Sequence, residues 1–88
     1  EANLTRANLR ETSLRNASLN GANLTDADLR QSDLSGVFVG ADLRRANLNR
    51  ADLSGANLNG VLYDRDTVLS ISAPKAFDPK AAGMVLKE

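Results

Sequence analysis

Leucine returns every five residues from Leu4 to Leu34, and again from Leu43 to Leu58. The residue before it is Asn, Asp or Ser, and the one before that is small, as in Ala2-Asn3-Leu4, Ala22-Asn23-Leu24 and Ala51-Asp52-Leu53. A period of five fits neither regular element. On an α-helix, at about 100° per residue, successive leucines would be rotated by about 140° and would form no stripe. In a continuous strand, side chains alternate sides, so an odd spacing would send successive leucines to opposite faces. The pattern is satisfied when each block is a short extended piece followed by a bend, so that the chain winds about an axis and every leucine points inward.

Within such a block the leucine and the residue two before it share the inner side. Those inner partners read Ala2, Ala7, Thr12, Ala17, Ala22, Ala27, Ser32, Val37, Ala41, Ala46, Ala51 and Ala56, small residues that suit a narrow interior. The residue between them and the two after the leucine face water and are polar or glycine almost throughout. Asn and Asp side chains bond to nearby backbone and stabilise bends, and Gly21, Gly55 and Gly60 ease tight turns at block ends. Turn chemistry that recurs in phase with an apolar residue is the mark of a solenoid.

The blocks Ala2-Asn3-Leu4-Thr5-Arg6, Ala7-Asn8-Leu9-Arg10-Glu11, Gly21-Ala22-Asn23-Leu24-Thr25 and Ala51-Asp52-Leu53-Ser54-Gly55 resemble the A(D/N)LXX motif of pentapeptide repeat proteins. The resemblance runs over residues 2–60 in a dozen consecutive blocks. It implies an all-β solenoid, a right-handed quadrilateral parallel β-helix with four blocks per coil and coils about 4.8 Å apart. Counting by coils, Leu4, Leu24 and Leu43 form one inner column. Leu9, Leu29 and Leu48 form the next, and Leu14, Leu34 and Leu53 a third. Residues 1–60 are then a β-helix of about three coils, and 61–88 a degraded repeat, a loop and a closing segment.

One block breaks the rhythm. Leu43 follows Leu34 by nine positions where ten are expected, across Ser35-Gly36-Val37-Phe38-Val39-Gly40. Phe is a common central residue in the family that the chain resembles, and Gly40 sits where other blocks end. Phe38 in that frame points inward, above Leu19 and below Leu58. In the rival frame Val37 and Val39 point in and Phe38 points out. The burial of apolar bulk favours the first.

After Gly60 the character changes. Val61-Leu62-Tyr63-Asp64-Arg65 is a degraded block, and the stretch Ser70 to Lys75 reads as a loop. Asp78 as N-cap and Pro79 at the first helical position predict a short C-terminal α-helical cap running to Lys87, weakened by Gly83. The stretch from Tyr63 to Met84, with Phe77-Asp78-Pro79 and Ala82-Gly83-Met84, resembles the tail that follows the repeats in many cyanobacterial members. A last coil exposes unpaired backbone, so a cap is expected there. The alternative is a dimerising helix as in some relatives, which would give a homodimer through a solenoid end.

Few residues carry reactive chemistry. The chain has no His and no Cys, and neither a phosphate-cradling glycine loop nor a nucleophile elbow. No enzyme is expected, and no catalytic, cofactor-binding or metal-binding residues. Asp33 stacks over Asp52 in one outer column, a pair that could hold a cation or act as acid and base. Both occupy the turn-forming position, where bonding to backbone amides accounts for them. Arginines gather on two adjacent faces, Arg6, Arg44, Arg45 and Arg65 on one, Arg10, Arg30 and Arg50 on the next. Glu11, Asp26, Asp28 and Asp42 interleave with them, so ladders of alternating charge such as Arg6, Asp26 and Arg45 are favoured over a phosphate-binding stripe. The face of Ser18, Asn20, Gly21, Gly40, Asn57, Asn59 and Gly60 is uncharged, which suits an interface core.

Two function classes follow. One is a structural or protein-binding module that displays side chains from a rigid rod. The other comes from the resemblance: some pentapeptide repeat proteins mimic duplex DNA and inhibit or protect DNA gyrase. Mimicry needs an anionic surface, and residues 1–60 hold seven Arg against seven Asp plus Glu. The binding module is therefore favoured, with a protein as partner and neither nucleic acid nor membrane. No apolar run approaches the length of a membrane span. The chain opens at Glu1, in mid-pattern, so the sequence allows a removed leader or further coils upstream. The sequence does not name a compartment: the cytoplasm stands beside the periplasm or thylakoid lumen, the latter two where a leader has been cleaved.

Overall fold

The computed structural model describes residues 2–72 and 77–88; the predicted loop from Ser70 to Lys75 thus lies partly outside the described residues. The chain winds as a four-sided coil whose sides are held by parallel bridges to the coils above and below. Asn3, Asn23, Asp42, Leu62 and Val85 stack on the first side, and Asn8, Asp28, Asn47 and Val68 on the second. Ser13, Asp33 and Asp52 stack on the third, and Ser18, Val37 and Asn57 on the fourth. Each side is too short to form a longer strand. The extended segments long enough to be named are β1 (Leu62–Tyr63) and β2 (Val85–Leu86), paired in parallel.

The ladder and the corners use the same backbone. Leu24 N–H donates to Asp42 O at 2.8 Å, and Asn23 N–H to Ala2 O at 2.8 Å, so each bridge residue joins two coils. At the corner that follows, Ala27 N–H donates back to Leu24 O at 3.1 Å. Except at the shortened corner after Leu34, the residue two after the central apolar residue takes a positive φ, close to +60° at Arg6, Glu11, Asn16, Asp26, Gln31, Arg45 and Arg50 and about +70° at Gly21, Gly40, Gly55 and Gly60. That is the third position of a type II turn, which needs the left-handed region. The polar residue before each leucine does what its chemistry predicts: the side-chain oxygens of Asn3, Asn23, Asp33, Asp42, Asn47 and Asp52 each accept the N–H two residues on.

Inside, Leu24, Leu29, Leu34, Leu43, Leu48, Leu53 and Leu58 are buried, with Ala22, Ala27, Ala41, Ala46 and Ala51 beside them. The first coil's Leu4, Leu9, Leu14 and Leu19 are half-buried. Ser32 is buried among them and satisfied, its hydroxyl donating to Leu29 O at 2.6 Å.

The shortened block resolves in favour of Phe38 inward, in the column of Leu19 and Leu58 and only 2% exposed. The inner partner there corrects the expectation. Val37 points outward, 37% exposed, and Gly36 takes the inner place. With one residue fewer, the corner tightens: Gly36 N–H donates to Leu34 O at 2.7 Å, across two residues instead of three. The chain is thereby drawn inward until a Cβ on residue 36 would sit 2.8 Å from Ala17 O and 2.9 Å from Leu14 O, so only glycine fits. Val37 falls at the position that other blocks fill with Asn, Asp or Ser and has no side-chain oxygen to cap the turn. Asn20 from the coil below supplies it, accepting Val39 N–H at 3.1 Å.

The fourth coil begins with Val61 buried on the inside and Tyr63 half-buried in the column of Leu43. Its first corner carries an extra residue, and Asp64 Oδ1 takes the N–H of Arg45 at 3.1 Å in place of a backbone carbonyl. Thr67 is buried there, its hydroxyl donating to Leu43 O at 2.9 Å and accepting Asp64 N–H at 3.0 Å. The tail is a second correction: it forms no helix. Asp78 does cap, accepting Lys80 N–H at 3.0 Å, and Pro79 opens a single turn, but Gly83 at φ +90° ends it and the chain extends into β2. The ladder outbids the local helix signal. Val85 N–H donates to Val61 O and Lys87 N–H to Tyr63 O, both at 2.7 Å, and Gly60 N–H to Gly83 O at 2.8 Å. A helix would leave those groups of the fourth coil bare. Met84, buried at 5% exposure, packs over the core.

The two kinds of glycine separate in urea unfolding. Gly55, at φ +73° with nothing within 4 Å of a new Cβ, isolates the left-handed penalty, so Gly55→Ala is expected to cost about 1 kcal/mol. Gly36→Ala must displace ladder carbonyls and is expected to cost about 3 kcal/mol; equal losses would contradict the inner placement of Gly36. Gly83→Ala would set a Cβ 2.9 Å from Asn59 Oδ1. Amide exchange should then speed up at Val85 and Lys87 while Leu24 and Leu29 stay protected.

Candidate contact face

Stacking turns sequence positions twenty apart into outer columns, and the four sides then differ sharply in charge. The first side carries Asp26, Asp42, Arg44 and Arg45, the second Arg10, Asp28, Arg30 and Arg50, and the third Arg15, Asp33 and Asp52. The fourth carries no charge over three coils. Its columns are Ser18-Val37-Asn57, Asn20-Val39-Asn59 and Gly21-Gly40-Gly60. The sequence picked out this face from its Ser, Asn and Gly residues and missed the two valines at its centre, because its frame placed Val37 inside.

On the charged sides the two tightest ion pairs form within single blocks. Asp28 and Arg30 form a bidentate pair at 2.8 and 2.7 Å, and Asp42 and Arg44 one at 3.0 and 2.7 Å. The signal was present in Asp-Leu-Arg, since residues on either side of an inward leucine both point out. Between coils, Arg45 bonds Asp26 at 3.0 Å. The expected ladder is half built: no ion pair within 4.0 Å joins Arg6 to Asp26. Arg10 and Arg15 stand 3.9 Å from Asp28 and Asp33. Such exposed pairs are worth little in stability.

Asp33 and Asp52 are bridge partners as expected. Each is engaged by its own turn, Asp33 with the N–H and hydroxyl of Ser35 at 3.1 and 2.7 Å and Asp52 with Ser54 N–H at 2.9 Å. Among the described residues, no three His, Cys, Asp or Glu gather as metal ligands would. An open groove of about 580 Å³ lies where the tail meets the corner at Asp64, lined by Arg44, Arg45, Asp64, Arg65, Asp66, Leu86, Lys87 and Glu88. Arg44 and Arg45 there are already paired, and Arg65 and Lys87 face three carboxylates, so the rim favours neither sign.

Arg30 beside Asp28 holds its carboxyl below the usual range, and the hydroxyl and N–H of Ser35 do the same for Asp33. At Asp42, burial alone would raise the pKa, but the bonds from Arg44 outweigh it; at Asp64 burial is likewise outweighed by the N–H of Arg45 and the hydroxyl of Thr67. A carboxylate with a lowered folded pKa stabilises the fold above its unfolded value, and that contribution disappears as pH falls through the folded one. The chain has no His or Cys to titrate nearer neutrality. The melting temperature should be level from about pH 5 to pH 8 and fall below about pH 4. Asp28→Asn should remove part of the fall, as read by circular dichroism; a transition centred near neutrality would contradict this assignment.

The pentapeptide repeats family model matches residues 1–36 and 37–62, in eight copies. A comparison with curated proteins returned no match. A solved pentapeptide repeat protein from Nostoc PCC 7120 is 36% identical over 98% of this chain and 81% of its own, with a TM-score of 0.36. HetL, a pentapeptide repeat protein involved in heterocyst differentiation regulation from the cyanobacterium Nostoc sp. strain PCC 7120, is 29% identical over 80% of this chain, with a TM-score of 0.33. This chain spans 42% of that protein's length. Family proteins are right-handed quadrilateral β-helices that are generally non-enzymatic interaction modules. The repeat match over residues 1–62, the identity to the first Nostoc protein and the four-sided ladder agree, and the chain belongs to the pentapeptide repeat family.

Proposed function

We propose that the chain is a non-enzymatic binding module, a rigid four-sided scaffold over residues 1–60 closed by 61–88, whose fourth side holds a protein partner. The observation that carries this reading is the pair of outward valines. Val37 is 37% exposed at a position where the fold rewards a polar turn-former, and using it forfeits a side-chain cap that Asn20 then has to restore. Folding alone gives no reason to put aliphatic groups there. Around them stand Asn and Gly without charge, and charge-poor surface with apolar centres is what interface cores use.

The gyrase reading finds less support. Residues 1–60 balance seven Arg against seven acids, and Asp28 and Asp42 are tied up by Arg30 and Arg44, so no anionic stripe resembles a phosphate backbone.

The test uses the whole chain immobilised on resin with an extract of its native cell. A partner retained by the wild type should be lost with Val37→Lys and kept with Arg10→Ser on the second side. Loss with Arg10→Ser and retention with Val37→Lys would overturn the reading. In a supercoiling assay gyrase should be unaffected; inhibition at about micromolar protein, an affinity of real binding strength, would reinstate mimicry.

A further inference from the structure

We infer that the fourth side is also where two copies of this chain meet, face to face about a two-fold axis. This rests on the reading of that side as a contact face and names one occupant for it.

A two-fold contact sets a patch against itself, so whatever lies near the axis meets its own kind. Like charges directly opposed are unfavourable. The first side would bring Arg44 and Arg45 near their own copies, the second Arg10, Arg30 and Arg50, and the third Asp33 and Asp52. Only on the fourth side can the axis pass through the middle coil without opposing like charges. There it passes through the exposed Val37 and the half-buried Val39, whose outward methyl groups would cover each other.

The residues around the axis are self-complementary as well. An asparagine amide both donates and accepts. Asn20 Oδ1 already accepts Val39 N–H and Asn57 Oδ1 accepts Asn59 N–H, which leaves the amide NH2 groups of both free to donate across the axis. Glycine at the corner keeps the rim low. Gly40 has nothing within 4 Å of where a Cβ would stand, so a flat partner can approach closely.

Size sets the strength. The molecule measures 26 × 25 × 21 Å, so two opposed sides bury on the order of 1,000 Å² in total, at the low end for a specific interface. A reversible dimer fits that area, and an obligate one does not.

Sedimentation velocity on the intact chain reads this directly. The wild type should pass from monomer to dimer with a midpoint of roughly 10–100 µM. Val37→Lys should raise that midpoint at least tenfold while leaving the melting temperature unchanged, since the side chain is exposed. An equimolar mixture of Val39→Lys and Val39→Glu chains should associate again, which a merely unfolded variant could not do. Two results would overturn the proposal: a wild type monomeric throughout that range, or a dimer untouched by Val37→Lys and broken by Leu86→Lys at the solenoid end. If the wild type is monomeric yet Val37→Lys loses a captured partner, self-association falls and the contact face stands; if neither is seen, both fall.

Discussion

A central leucine within the stack holds three things at once. Its N–H donates to the next coil, its carbonyl closes the corner, and its side chain fills the axis, as Leu24 does with Asp42 O, Ala27 N–H and the core. Moving one leucine out of phase would therefore unpair a ladder, open a turn and leave a void. The corner also demands a left-handed residue, and seven of those positions are filled by side chains other than glycine. Each costs roughly 1 kcal/mol or more. Closely packed aliphatic groups and a saturated ladder offset that strain, which is why the core positions tolerate so little variety.

The outer positions answer to a different constraint. Beyond the residue that caps each turn, the left-handed residue that closes it and Asn20, the scaffold depends little on what points outward. Departures at the capping position are therefore informative in a way that departures elsewhere are not. Ser13 and Ser18 also stand there, but they remain polar. Val37 is apolar, half-open to water and compensated by a neighbouring coil, so the fold accommodates it without gaining from it. Val68 and Leu62 are apolar at the same position in the fourth coil, where repeats give way to the closing segment and the tail lies close by.

Most of the fold was legible because it follows from local rules repeated in phase. Spacing alone placed Leu24 inside, the four-block coil implied by the resemblance to pentapeptide repeat proteins set Asp33 over Asp52, and burial of bulk decided for Phe38. The inner place of Gly36 was not legible, because removing one residue moves the inner position by one, and a list made by counting back from a fixed period lands on Val37. The clue was glycine itself, the only residue able to pass beneath Ala17 O. The tail failed for another reason. Asp78 and Pro79 are true local helix signals, and both act as such for one turn. What overrode them was Val61 O and Tyr63 O, two carbonyls fifteen or more residues upstream, otherwise unpaired, that no local reading weighs. The fourth side was legible as uncharged, and the valines at its centre were not.

Charge explains why recognition by this chain would rest on shape and contact. A surface that steers a partner over distance needs an excess of one sign, because screening removes local alternation within about 10 Å. Here Asp28 with Arg30 and Asp42 with Arg44 cancel inside single blocks, and Asp26 with Arg45 cancels between coils. The total is zero. Three sides thus offer alternating charge that discriminates at contact and attracts little beforehand, and the fourth offers none. A proposed partner on the fourth side would be held by apolar area and hydrogen bonds from asparagine amides, neither of which salt weakens as it weakens phosphate mimicry. Ionic strength consequently separates the two ways a pentapeptide rod can bind, and the distribution of Asp and Arg on this one points to the salt-tolerant way.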